Sequence, residues 1–164
     1  MSQGVDPHSF TNKLEEIIGR ELRERADDFS GELISAPAID CHPWHGSIDL
    51  CFLTPQDSMG KWHLADWKYF QFTDPNASGG WEETQGLGLL MREEWEACFR
   101  DGDSECEGAQ AELIADKFFT CCAAALKSAG VQQALTYYKL TNDFEVWVGS
   151  PDDPSDRNYC DIFQ

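Results

Sequence analysis

The spacing of apolar residues changes once near the N-terminus, and that change restricts the fold more than any other feature of the chain. Over residues 12–29, Leu14, Ile17, Ile18, Leu22, Ala26 and Phe29 recur at helical intervals with Lys, Arg and Glu between them, the pattern of an amphipathic helix. Asn12 with Glu15 supplies a capping-box start, and Ser30-Gly31 supplies an end. Beyond it, residues 33–41 read as extended. After a turn at 43–46, Ile48, Leu50 and Phe52 alternate with Asp49, Cys51 and Leu53. The two segments predict an antiparallel strand pair.

The same reading carries through the rest of the chain. Residues 65–72, ADWKYFQF, form a third expected strand, closed by a surface loop over 73–80. Residues 87–100 and 109–129 have helical composition, and Ile114, Phe118, Cys121, Cys122, Ala125 and Ala129 give the second of these one apolar face. Residues 134–140 and 144–148 are expected to pair as a hairpin across Thr141-Asn142-Asp143. Residues 1–10 read as a loose start and 149–164 as a polar tail. This order predicts one α+β domain over 1–164: an antiparallel sheet of about four to five strands with about three helices packed mainly on one face.

Thirty Asp and Glu against twelve Lys and Arg give a net charge of -18. Such a chain repels nucleic-acid phosphates and anionic membranes and attracts a basic protein partner. It has no apolar run of membrane-spanning length and no signal-peptide pattern at its start. Its seven cysteines include no C-x-x-C pair, which fits reduced thiols in a cytoplasmic setting.

Two clusters have the residue types of metal sites. Cys41, His42, His45 and His63 would offer zinc a thiolate and imidazoles. Their spacing follows no zinc pattern, and Pro43 marks a turn between strands that accounts for the same residues. Cys41 beside His42 or His45 also has the composition of a thiol nucleophile with its base, although neighbours on a strand face opposite sides. Asp101, Asp103, Glu105 and Glu112 occupy the first, third, fifth and twelfth positions of a calcium loop. Cys106 stands where that loop needs Gly, and Gly108 where it needs an apolar residue. A plain helix connection capped by Asp103 or Ser104 is the other reading. Trp62, Trp67 and Tyr69 near Lys61 and Lys68 suit either an aromatic recognition surface or strand packing. Common nucleotide-binding and hydrolase signatures are absent, so no catalytic residue and no cofactor is assigned.

The opening helix, the strand pair around 39–53, the Ala65-Asp66-Trp67-Lys68-Tyr69 segment and the Phe144-Glu145-Val146-Trp147-Val148 strand followed by Asp152-Asp153 together resemble an uncharacterised bacterial domain family linked to immunity proteins of polymorphic toxin systems. The resemblance implies a cytoplasmic, non-enzymatic protein that binds a toxin domain, and a basic toxin would suit the charge of this chain. It brings no active site to carry over.

Overall fold

Asp6-Pro7 opens the first helix, ahead of the expected Asn12. The Asp6 carboxylate accepts a hydrogen bond from the Ser9 amide at 2.9 Å, and proline occupies the first helical turn, where its missing N–H costs nothing. This helix, α1 (Pro7–Arg25), buries Phe10, Leu14, Ile17, Ile18 and Leu22, and a 3₁₀ turn (Ala26–Phe29) ends it. The computed structural model describes residues 4–57, 63–74, 80–100, 104–152 and 157–163, with the backbone alone at 104–107.

The strands that follow are β1 (Leu33–Ile34), β2 (Ala36–His42) and β3 (Ser47–Leu53). Then come α2 (Gln85–Ala97), α3 (Ser104–Lys127), α4 (Ala129–Leu135), β4 (Lys139–Leu140), β5 (Trp147–Val148) and a terminal 3₁₀ turn (Tyr159–Phe163). The fold is α+β, as expected, and β2 and β3 pair antiparallel over their full length.

The rest of the sheet differs from the expectation. The strands form a three-stranded sheet in the order β3-β2-β5 and a two-stranded sheet β1-β4, with β5 parallel to β2 and β4 parallel to β1. The hairpin expected from 134–140 and 144–148 does not form. Ser128 caps a fourth helix that takes residues 129–135. The two strands after it then find partners in β1 and β2, with the Glu145 amide donating to the Ser35 carbonyl between the two pairings. Residues 65–72 are likewise not a full strand. A 3₁₀ turn (Leu64–Asp66) and successive turns leave one bridge, Phe52 to Tyr69, on the edge of β3, and Gln71 adopts a positive φ of 44° that breaks the extended run.

The helices pack against one face of the sheet. Ile39, Cys41, Ile48, Leu50 and Phe52 point into a core shared with Leu14 and Ile18 of α1 and with Phe118, Cys122 and Leu126 of α3. Phe29, Phe52, Phe72 and Tyr138 form an aromatic cluster with edge and tilted contacts of 4.7–6.1 Å. Two glycines seat α2: Gly46, at φ 70° in the turn between β2 and β3, lies so close to Gly88 that a Cβ on Gly88 would stand 1.9 Å from the Gly46 carbonyl oxygen. Near the C-terminus the expected polar tail is anchored. The buried Asn158 accepts from the Val148 and Cys160 amides and donates to the Val146 carbonyl, so the chain after β5 is held to the sheet. Among the described residues no helix is long and apolar enough to cross a membrane.

Candidate functional site

The alternation of β2 and β3 sends one set of side chains to the helices and the other to the opposite face. On that second face stand Ala38, Asp40 and His42 from β2, with Asp49 and Cys51 from β3. The register places Asp40 directly across from Asp49 and His42 across from Ser47. Side chains directly opposed in an antiparallel pair lie about 5 Å apart at Cβ, and like charges there repel. Both carboxylates are buried, Asp40 at 6 % and Asp49 at 1 % exposure.

Residues 71–74 run along the free edge of β3, where the Phe72 amide donates to the Leu50 carbonyl, and supply the partners of this pair. Gln71 donates its side-chain amide to Asp40 at 2.8 Å. The Thr73 hydroxyl donates to Asp49 at 3.1 Å and accepts from the Leu50 amide at 3.0 Å. Asp74, also buried, accepts from the Gly80 amide at 3.0 Å. Burial raises the Asp49 pKa to about 7. The Thr73 hydrogen bond opposes that rise, and the charges of Asp74 and Asp40 add to it. His42 Nε2 contacts the Asp40 carboxylate at 3.1 Å. Burial alone would lower the His42 pKa, but the hydrogen bond and charge of Asp40, with Asp152 and Asp49 beyond, outweigh it and the net shift is upward.

Beside this cluster the face opens into a cavity of about 330 Å3, lined among others by Asp40, His42, His63, Phe70, Trp147 and Arg157. Its walls are apolar where Phe70 and Trp147 contribute and polar at Asp40 and His42. A cavity of this size accommodates a small molecule or one protein side chain. The hydrogen-bonded His42–Asp40 pair gives it a group able to exchange a proton near neutral pH.

The structure separates most of the residues that looked like a zinc site. Cys41 faces the helix-side core, fully buried, with its thiol 3.8 Å from the Met91 sulfur, while His42 faces the other side. His45 is exposed on the turn, its ring 6.0 Å from that of His42. Only His42 and His63 of the four share the cavity. Among the described residues no three His, Cys, Asp or Glu side chains converge as metal ligands. The same geometry removes the thiol–imidazole reading of Cys41: strand alternation, together with core burial, keeps its sulfur from the His42 ring.

The calcium-loop reading also changes. Asp101 and Asp103 lie outside the described residues, but α3 runs unbroken from Ser104 to Lys127. Glu105 and Glu112 therefore sit on one helix, roughly 10 Å apart along its axis, instead of folding around a common centre. Trp62 and Lys61 lie outside the described residues. Trp67 is buried beside Ala38, Cys51 and Trp147. Lys68 and the Tyr69 hydroxyl both bond to Glu32, so this segment fastens the edge of β3 to the turn before β1.

Sequence reading singled out His42 and His63 as zinc ligands together with Cys41 and His45, and placed Thr73 and Asp74 in a surface loop. Asp49 carried a readable signal, a carboxylate in a run of strand residues in phase with Asp40. Gln71, Thr73, Asp74 and Arg157 carried none, because only the path of the chain brings them to this face. Comparison with protein-family models, curated proteins and solved structures returns no match.

Proposed function

We propose that this is a non-enzymatic acidic binding protein whose partner is a basic protein, with an immunity protein that neutralises a basic toxin as its specific form. The observation that carries the reading is the outward face of α2, in a chain of net charge -18. Leu89 and Leu90 are 48 % and 43 % exposed there. Glu93 and Glu96 are exposed on the same helix, and Glu82 and Glu83 just before it. Arg92 is exposed there too and pairs with Glu96, and Arg20 pairs with Glu83, so the excess of negative charge belongs to the chain as a whole. Apolar anchors on such a chain suit a partner of the opposite sign, because the charge speeds encounter and the apolar side chains hold the complex.

The test begins with affinity purification of the full chain from its own cells and identification of any stoichiometric partner by mass spectrometry. The purified pair is then remeasured with Leu89→Ala/Leu90→Ala. The expected partner is strongly basic, and the double variant weakens the complex by about tenfold or more, the equivalent of one modest hot spot. A neutral or acidic partner, or an affinity unchanged by the double variant, overturns the reading.

A further inference from the structure

The cavity on the second face of the sheet joins aromatic surface to a buried carboxylate. Phe70 and Trp147 line it and pack with Ala38, Cys51 and Trp67 in a small apolar cluster. The faces of such rings stack flat apolar bodies and attract cations. Asp40 lines the same space although it is only 6 % exposed. The Gln71 side chain donates to it at 2.8 Å, and the His42 ring lies at 3.1 Å. A carboxylate offers about four lone-pair sites, so these two partners leave acceptor capacity unused.

The sign of the field in the cavity is visible at His42. Burial opposes a proton on this imidazole, yet the hydrogen bond and charge of Asp40, with the charges of Asp152 and Asp49, outweigh burial and the net shift is upward. A proton is the smallest cation, and a site that retains it against desolvation favours other cations as well. Among the described residues the lining carries two carboxylates, Asp40 and Asp66, against one permanent cation, Arg157. Arg157 is exposed and lies over the Tyr159 ring at 4.4 Å, where water screens its charge. Asp40, being buried, acts with much less screening.

We propose that this cavity binds a small organic cation with a flat apolar body, an amidinium or guanidinium, whose charged end meets Asp40 and whose body lies against Phe70 and Trp147. The forked N–H donors of such a group match the two oxygens of a carboxylate. A volume of about 330 Å3 holds a molecule of this kind whole and lies at the lower end of the range for small-molecule sites. The ligand competes with the proton on His42, because both positive charges draw on the same carboxylate. A bound cation therefore loosens that proton, and by reciprocity the cation binds more tightly once His42 is neutral. The cavity shares no residue with the exposed face of α2, so its occupancy is independent of the partner proposed above.

Benzamidinium, benzamide and benzoate have nearly one shape and carry a positive, a neutral and a negative group, and titration of each into the full chain by NMR tests the site. Benzamidinium is expected to saturate with a Kd of about 1 mM or below, at least about tenfold tighter than benzamide, with benzoate weakest. The signals that move are those of the Phe70 ring, the Trp147 indole and the His42 imidazole, and the His42 titration midpoint falls when benzamidinium is present. Asp40→Asn, which keeps an oxygen for the Gln71 side chain, is expected to bring the affinity for benzamidinium down to that for benzamide. Should that variant fail to fold, the order of the three probes and the movement of the His42 midpoint in the unmodified protein decide the matter. Benzamide or benzoate binding as tightly as benzamidinium, the latter by way of Arg157, overturns the proposal. So does full affinity in Asp40→Asn, absence of saturation by about 10 mM benzamidinium, or binding elsewhere on this acidic chain that leaves His42 and Phe70 unmoved.

Discussion

Gly88→Ala is the sharpest test of how the fold is assembled, because ordinary helix energetics predict the opposite of what the packing predicts. In an exposed helix the change stabilises by up to about 1 kcal/mol, since alanine loses less backbone entropy than glycine. At position 88 the new Cβ would lie 1.9 Å from the Gly46 carbonyl oxygen and 2.8 Å from its carbon. Both are backbone atoms of a tight turn, and Gly46 is itself held at positive φ, so no side chain can swing aside. Helix α2 must retreat by roughly 1 Å or more to restore van der Waals separation, loosening Leu87 and the fully buried Met91. Overpacking of this kind costs about 1–3 kcal/mol, occasionally more. With the lost contacts added and the propensity gain subtracted, the net destabilisation is about 2–3 kcal/mol, a fall in Tm of roughly 5–10 °C for a chain of this size. Urea and thermal unfolding measure it, with Gly86→Ala as the control. Gly86 is on the same helix, is exposed and would meet nothing within 4 Å, so that variant is expected to be neutral or slightly stabilising. Equal effects at the two positions would refute the close approach of α2 to the turn.

Other outcomes follow from the same structure. Asn158→Ala removes three buried hydrogen bonds to Val148, Val146 and Cys160 and is expected to cost roughly 2–4 kcal/mol in urea unfolding, with Asn158→Asp intermediate because it keeps the acceptor but loses the donor. Stability is also expected to fall as pH rises from about 4 to about 7. Asp49 has a folded-state pKa above its unfolded value, so the native state binds more protons across that window, and the stability it contributes is complete below the window and lost above it. A shift of about 3 units corresponds to roughly 4 kcal/mol, and water penetration and relaxation bring this to about 2–4 kcal/mol. The raised His42 pKa works in the same direction. Urea midpoints at pH 5 and pH 8 are expected to show the greater stability at pH 5, with the difference reduced in Asp49→Asn. A profile that is flat, or rises with pH, contradicts the burial of that carboxylate.

The parts of this fold that were legible in the sequence are those specified locally. The apolar stripe of α1, the alternation of β2 and β3 and the helical composition of α2 and α3 each follow from neighbours in the chain. The parallel pairing of β4 and β5 does not, because a two-residue strand such as Lys139–Leu140 carries no periodicity and acquires its partner only when α4 returns the chain to β1. Residues 65–72 show the limit from the other side. Their aromatic composition favours a strand, yet Trp67, Tyr69 and Phe72 are used to cover two different clusters, and the turns that direct them there break the ladder. At the candidate site the alternation rule correctly set Cys41 against His42. What it lacked was the segment along the edge of β3 that brings Gln71, Thr73 and Asp74 to Asp40 and Asp49, a relation between residues more than twenty positions apart.

The central claim, that the protein works by binding a basic partner through its acidic surface, is tested most directly by the association rate of the purified pair as a function of ionic strength. Electrostatic steering predicts fast association at low salt that slows by about tenfold or more between roughly 20 and 300 mM salt, with a much smaller change in the dissociation rate. Glu82→Lys/Glu93→Lys, at the edge of the α2 face, is expected to lower the association rate and weaken its salt dependence. An association rate that is indifferent to salt and to this charge reversal would contradict the claim.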